Sequence, residues 1–158
     1  MAIERMGFEK NKRITFNYGN RHTYNGCLLK SDAEYSFALL LDAIKECGRI
    51  VSWQYEPKTF WFDNIKRGTV SYKPDFLATW DNGNETWYEV KRGRVTQKDI
   101  TKWRRMSLNY PDVLLVLTLP SEPKTGKLRT MIDKGEKYLH HVWYVGEDYK
   151  KFGIPTKF

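Results

Sequence analysis

Hydrophobic positions along the chain change period several times, and each change marks an element. Residues 1–26 hold neither a period of two nor one of 3.6 for long; they are polar, basic and rich in Asn and Gly. This segment reads as a flexible basic arm carrying Lys10, Lys12, Arg13 and Arg21. Its role stays open between a disordered tail and an arm that contacts phosphate or exchanges with a partner. Ser31 with Glu34 three residues on forms a capping-box pattern. Phe37, Leu40, Leu41 and Ile44 then recur at helical spacing until Gly48, which predicts the first helix.

Residues 50–55 and 59–62 are rich in β-branched and aromatic side chains, are separated by Glu56-Pro57, and predict two strands. Residues 70–80 and 86–91 flank Asp81-Asn82-Gly83-Asn84, whose Asn-Gly pair signals a hairpin. Thr96 and Asp99 suggest a second capping box, followed by a helix with Ile100, Trp103 and Ser107 on one face up to Pro111. The apolar run 113–119, bounded by Pro111 and Pro120, predicts a strand buried on both faces. Beyond it lie a Gly/Lys-rich stretch, the aromatic strand-like residues 138–145 and a basic tail. The order α, β, β, β, β, α, β predicts an α/β or α+β domain, a mixed β-sheet flanked by helices. A length of 158 residues suits one domain over 27–158, its core at 28–119 and a C-terminal extension at 120–158.

Charge adds a partner to this frame. With 27 Lys and Arg against 19 Asp and Glu, the formal charge is +8, an attractive field for polyanions; nucleic acid is the natural partner, though a merely soluble basic protein shares that balance. Cys27 and Cys47 form no Cys-x-x-Cys pattern, which speaks against a zinc ribbon or disulfide framework and suits a reducing cytoplasm. No run approaches the roughly 18 apolar residues of a membrane span, so no membrane partner is expected.

Two carboxylates on neighbouring strands, with a lysine two residues beyond one of them, could hold a divalent ion and set a cation beside a phosphate. Asp75, Glu89 and Lys91 have that layout. Glu89 and Lys91 share a strand face while Val90 points away, its carbonyl free to complete a metal shell. A two-residue Asn82-Gly83 turn would set Phe76 opposite Glu89 and part the two acids. The arrangement therefore requires an odd-length loop with left-handed Gly83, or a bulge near Pro74-Asp75. The acid-x-Lys pattern by itself is weak, recurring at Glu56/Lys58, Glu122/Lys124 and Asp148/Lys150; only Glu89 lies within a strand pattern. The second Pro-Asp, Pro111-Asp112, reads as a helix stop. Glu34 has a complete explanation as a helix cap, yet falls on the apolar stripe of its helix, where an acid suggests a metal site.

Glu34, Tyr-Lys-Pro-Asp75-Phe-Leu, Tyr-Glu89-Val-Lys91-Arg-Gly and the helix-then-strand to Leu119 together resemble the PD-(D/E)XK nuclease superfamily over about residues 28–119. Within it the chain looks most like small phage-type endonucleases, including the junction-resolving kind, with Tyr55-Glu56-Pro57 placed as an aromatic-acidic strand start is there. The resemblance implies a restriction-endonuclease-like core, with Mg²⁺ or Mn²⁺ at Asp75 and Glu89. It makes Lys91 the group that positions or activates water, and Glu34 the helical acid. The activity implied is metal-dependent endonucleolytic hydrolysis of DNA, branched or junction DNA being the substrate suggested. The segments before residue 27 and after residue 120 match nothing in the family.

Lys73 flanks the site, and Arg92, Arg94, Lys98, Lys102 and Arg105 follow it on a loop and a helix start, where phosphates could run; a solvated basic face is the plainer alternative. Trp53, Trp61, Trp80, Trp87, Trp103 and Trp143 read as core or cross-strand aromatics rather than base-stacking platforms. His22, His140 and His141 offer no general base. A symmetric two-strand cut would suit a homodimer. The competing functions are a nuclease subunit active only within a larger recombination or packaging assembly, a silent nucleic-acid-binding module, and a structural protein. The last explains the charge but not the acids.

Overall fold

The computed structural model describes residues 19–156 together with Thr15 and Phe16. Lys10, Lys12 and Arg13 lie outside the described residues. Within the expected flexible arm, β1 (Thr15–Phe16) pairs with β2 (Gly19–Asn20), and β3 (His22–Tyr24) forms an antiparallel hairpin with β4 (Cys27–Leu29). The turn of the second hairpin is Asn25-Gly26, both at positive φ (49° and 76°), the conformation a two-residue hairpin turn requires. Tyr24 stacks over Trp53 and donates its hydroxyl to Asp42. The described end of the arm is therefore ordered by packing against the body of the protein.

Helix α1 (Asp32–Glu46) begins as expected, with the Ser31 hydroxyl accepting from the Glu34 amide at 3.1 Å. The capping box is only half formed, because the Glu34 carboxylate reaches the Lys30 amide (2.7 Å) rather than that of Ser31. Strand β5 (Ile50–Tyr55) follows, then the short hairpin of β6 (Phe60–Trp61) and β7 (Ser71–Tyr72). The single strand expected over 70–80 is thus broken. Pro74 lacks an amide proton for a ladder, and β8 starts only at Phe76 (Phe76–Trp80). After β9 (Glu85–Val90), α2 (Gln97–Asn109) opens on a complete Thr96–Asp99 capping box. Its buried face is Ile100, Trp103 and Met106; Ser107 is only half-buried. Strand β10 (Leu115–Leu119) is buried throughout. The Gly/Lys-rich stretch contains α3 (Gly126–Gly135), then a 3₁₀ turn, the edge strand β11 (His141–Tyr144) and α4 (Gly146–Lys151).

Among the described residues the main sheet has five strands in the order β11-β10-β9-β8-β5. β5, β8 and β9 form an antiparallel meander. The crossover through α2 makes β10 parallel to β9, and β11 is parallel to β10. The fold is thus a mixed α+β domain with helices on both sides of the sheet. Phe37, Leu40 and Leu41 of α1 pack with Phe76, Ala78, Tyr88 and Val116 on one face, joined by Val145 and Tyr149. Ile100, Trp103 and Met106 of α2 pack with Trp87, Leu115, Leu117 and Leu119 on the other, with Met131 and Ile132 of α3. No helix among the described residues is long and apolar enough to cross a membrane.

Candidate active site

The loop between β8 and β9 determines which side chains share a face. Trp80 donates to the Asn84 carbonyl at 2.8 Å and Gly83 donates back to Trp80 at 3.0 Å, leaving residues 81–83 as a three-residue turn. Gly83 has φ of +83°, the left-handed conformation required for an odd-length loop. The register sets Phe76 opposite Tyr88, so the next position outward brings Asp75 opposite Glu89. Beyond the last regular pair the ladder skews: the Asp75 amide donates to the Tyr88 carbonyl at 3.0 Å, and the Asp75 carboxylate accepts from the Val90 amide at 2.7 Å. Both acids therefore stand at the α2 side of the sheet end, while Val90 packs into the α1 cluster.

Glu89 is buried, 6% exposed, and both its oxygens are engaged. Tyr72 donates to one at 2.6 Å, and the Lys91 ammonium lies 3.1 Å from the other. Lys91 also contacts Asp99 at 2.9 Å. Asp99, the third residue of α2, takes the Thr96 amide on its second oxygen at 2.8 Å. A chain of polar contacts, Tyr72 to Glu89 to Lys91 to Asp99, thus runs from the β6–β7 hairpin to the start of α2.

Charge is unevenly distributed over this cluster. Burial, then the neighbouring Glu89 and Glu34 carboxylates, push the Asp75 carboxyl well above the usual range, against the Val90 amide and Lys91. Glu34 is also raised, chiefly by burial, although the Lys30 amide and the Tyr55 hydroxyl (2.7 Å) favour its charged form. Burial would lower Lys91, but Glu89 and Asp99 together outweigh it and raise it. Burial likewise opposes ionisation of Asp99, yet the Thr96 amide and Lys91 hold its carboxyl below the ordinary value. Burial and Glu89 raise the Tyr72 phenol. The nearby Trp103 indole N–H partly offsets this without reaching full hydrogen-bond geometry with any partner.

Glu34 comes from the other face of the sheet and reaches the same end, close enough to raise Asp75 by charge repulsion. Its anchor, Tyr55, precedes Glu56, whose φ of 44° places it in the left-handed region. The Glu56 amide donates to the Asp75 carbonyl at 2.8 Å, and its carboxylate pairs with Lys30 and Lys73. Excess carboxylate that repels itself in a partly buried setting fits the hard-oxygen donor set of a divalent cation. Among the described residues, however, no three His, Cys, Asp or Glu side chains converge into a ready-made coordination group. The carboxylates are instead satisfied by Val90, Tyr72, Tyr55 and Lys91.

The expected phosphate-binding residues fall into two sets. Arg92, Arg94 and Lys98 are exposed around the start of α2, and Lys73 is exposed beside Glu56. Lys102 lies over the Tyr72 ring at 5.4 Å, and Arg105 donates to the Thr69 carbonyl, fixing the loop between β6 and β7. These two are half-buried and committed to the fold. No sequence signal marks Tyr72, Asp99 and Tyr55 as site residues. Asp99 was legible only as a cap, and nothing in the spacing of Lys91 and Asp99 announces their contact across the loop. Neither a family model, a curated protein nor a solved structure matches the chain.

Proposed function

We propose that the protein is a metal-dependent endodeoxyribonuclease of the PD-(D/E)XK kind, with Asp75 and Glu89 as metal ligands and Lys91 as the catalytic cation. The observation that carries this reading is the meeting of Asp75, Glu89 and Lys91 at one sheet end, with Asp75 driven up by burial and then by its acidic neighbours. Mg²⁺ or Mn²⁺ would be held by Asp75 and Glu89, with the Val90 carbonyl and Glu34 as further ligands. A bound divalent ion supplies Lewis acidity toward the phosphate and lowers the pKa of water.

The residues supply the rest. In hydrolysis a water oxygen bonds to phosphorus, the bond from phosphorus to one sugar oxygen breaks, and that oxygen takes a proton. Lys91, held between Glu89 and Asp99, places positive charge where the phosphoryl oxygens become more negative. Exposed Arg92, Arg94, Lys98 and Lys73 hold the backbone of DNA, whose charge suits the +8 net charge of the chain. Branched or junction DNA is the preferred substrate in this reading.

A second reading, a silent nucleic-acid-binding module, draws on the engaged state of the carboxylates and the lack of a converged ligand group among the described residues. Strand scission that requires Mg²⁺ and disappears in Glu89→Ala supports the nuclease. Binding without scission under every metal condition supports the module.

A further inference from the structure

Of the chain's tryptophans, Trp87 and Trp103 are buried and Trp53, Trp80 and Trp143 are half-buried. Trp61 stands apart at 63% exposed, the one aromatic among the exposed large hydrophobic side chains of the described residues. Its place in the short hairpin explains the exposure. Phe60 pairs with Tyr72 and Trp61 with Ser71, and side chains alternate along a strand. Phe60, 2% exposed, faces the core, so Trp61 faces solvent.

The strand that carries Trp61 is tied to its surroundings by several contacts. Tyr110 donates to the Trp61 carbonyl at 2.6 Å, Phe60 packs edge-on against Trp87 and Tyr110, and Arg105 ties the hairpin loop through Thr69. The strand paired with Trp61 carries Tyr72, which grips Glu89. The aromatic is therefore mounted on the element that also braces the candidate active site. Lys58, Lys66 and Arg67 are exposed on the same segment, against one exposed acid, Asp63. A solvent-facing ring on a braced strand, with exposed cations along the same segment, suits a polyanion whose bases are out of their stack.

We infer that Trp61 is a stacking platform for an unpaired base of a nucleic acid, and that the β6–β7 hairpin selects DNA with unstacked nucleotides near the cut. This deepens the nuclease reading and rests on it for the position of the cut, not for binding. Stacking on an aromatic tolerates any base, so selection is for structure rather than sequence.

The test uses the full chain in chelator, so that nothing is cut, and oligonucleotides carrying 2-aminopurine either in an unpaired bulge or within intact duplex. Wild-type protein should quench the bulge probe. Trp61→Ala should abolish the quenching and weaken binding to bulged DNA roughly tenfold, as loss of one base–aromatic stack does. Its affinity for duplex should be unchanged, and Trp61→Phe should restore most of the bulge affinity. Equal binding and quenching by wild type and Trp61→Ala would overturn the inference while leaving Mg²⁺-dependent cleavage, assayed separately, to decide the nuclease reading. Sedimentation that finds the wild type dimeric and Trp61→Ala monomeric would also overturn it, making this face a self-association surface. Failure of the wild type to bind any DNA would contradict both readings.

Discussion

The Lys91 ammonium lies 2.9 Å from the Asp99 carboxylate, joining the residue just after β9 to the first turn of α2. Asp99 thereby has two tasks: it closes the capping box of α2 through Thr96, and it holds the cation that also faces Glu89 at 3.1 Å. These tasks can be separated. Asp99→Ala loses both and should cost about 1–2 kcal/mol for the cap, with further loss from stranding Lys91. Asp99→Asn can still cap and should cost less, yet should reduce cleavage nearly as much. Urea unfolding and single-turnover cleavage measure the two effects. The folded-state carboxyl of Asp99 lies below its unfolded value, so its stabilisation is present above about pH 4 and fades as pH falls through the folded value.

Asp75 has the opposite linkage. Its carboxyl is raised in the folded protein, so its protonated form is favoured there, and stability falls as pH rises from the ordinary aspartate value toward the folded one. Without divalent metal, Asp75→Asn should melt at a higher temperature than wild type at pH 7, and the gap should close below about pH 4. Mg²⁺ should narrow the gap at pH 7 by stabilising the wild type alone. Thermal melts across pH with and without Mg²⁺ provide the check.

Tyr72→Phe removes the hydroxyl that donates to Glu89 at 2.6 Å and leaves a buried carboxylate short of one donor. A loss of about 1–3 kcal/mol is expected for the unsatisfied group. Cleavage should fall while affinity for duplex DNA stays near that of wild type, because Tyr72 is buried and its hydroxyl is turned to Glu89.

Gly83→Ala should cost about 1–2 kcal/mol, the penalty for an ordinary residue in the left-handed region. An added Cβ there meets no atom within 4 Å, so the cost is conformational and not steric crowding by neighbours. Gly83→Asn should recover part of the loss. Deleting one of residues 81–83 is far more severe, because a two-residue turn would shift the ladder and part Asp75 from Glu89. Chemical denaturation and cleavage assays distinguish these outcomes.

Much of the frame could be read from sequence because local signals agreed with the tertiary result. Ser31 and Thr96 mark their helix starts, and the apolar run to Leu119 forms a strand buried on both faces. Placing Asp75 and Glu89 on one face requires an odd loop with left-handed Gly83, and the turn has that form. Other features depended on contacts that pattern does not encode. The strand expected over 70–80 breaks because Pro74 interrupts pairing. The β3–β4 hairpin was masked by polar composition, although Asn25-Gly26 is the same turn signal used for Asn82-Gly83. Helix α3 is hidden by its Gly and Lys content, and Trp61 reads as a core or cross-strand aromatic, whereas in the two-residue strand Phe60 takes the core side and leaves Trp61 outside. At the site, Tyr72 and Asp99 reach Glu89 and Lys91 only through tertiary geometry.

The central claim, that Asp75, Glu89 and Lys91 form a metal-dependent cutting site, is tested most directly by single-turnover cleavage. The substrates are supercoiled, linear and four-way-junction DNA, the proteins are wild type and Glu89→Ala, and each is assayed in Mg²⁺ and in chelator. Strand scission by wild type in Mg²⁺ alone is expected, fastest on the junction, and none by the variant. Scission that persists in chelator or in Glu89→Ala, or intact DNA in every sample while all forms are bound, would contradict it.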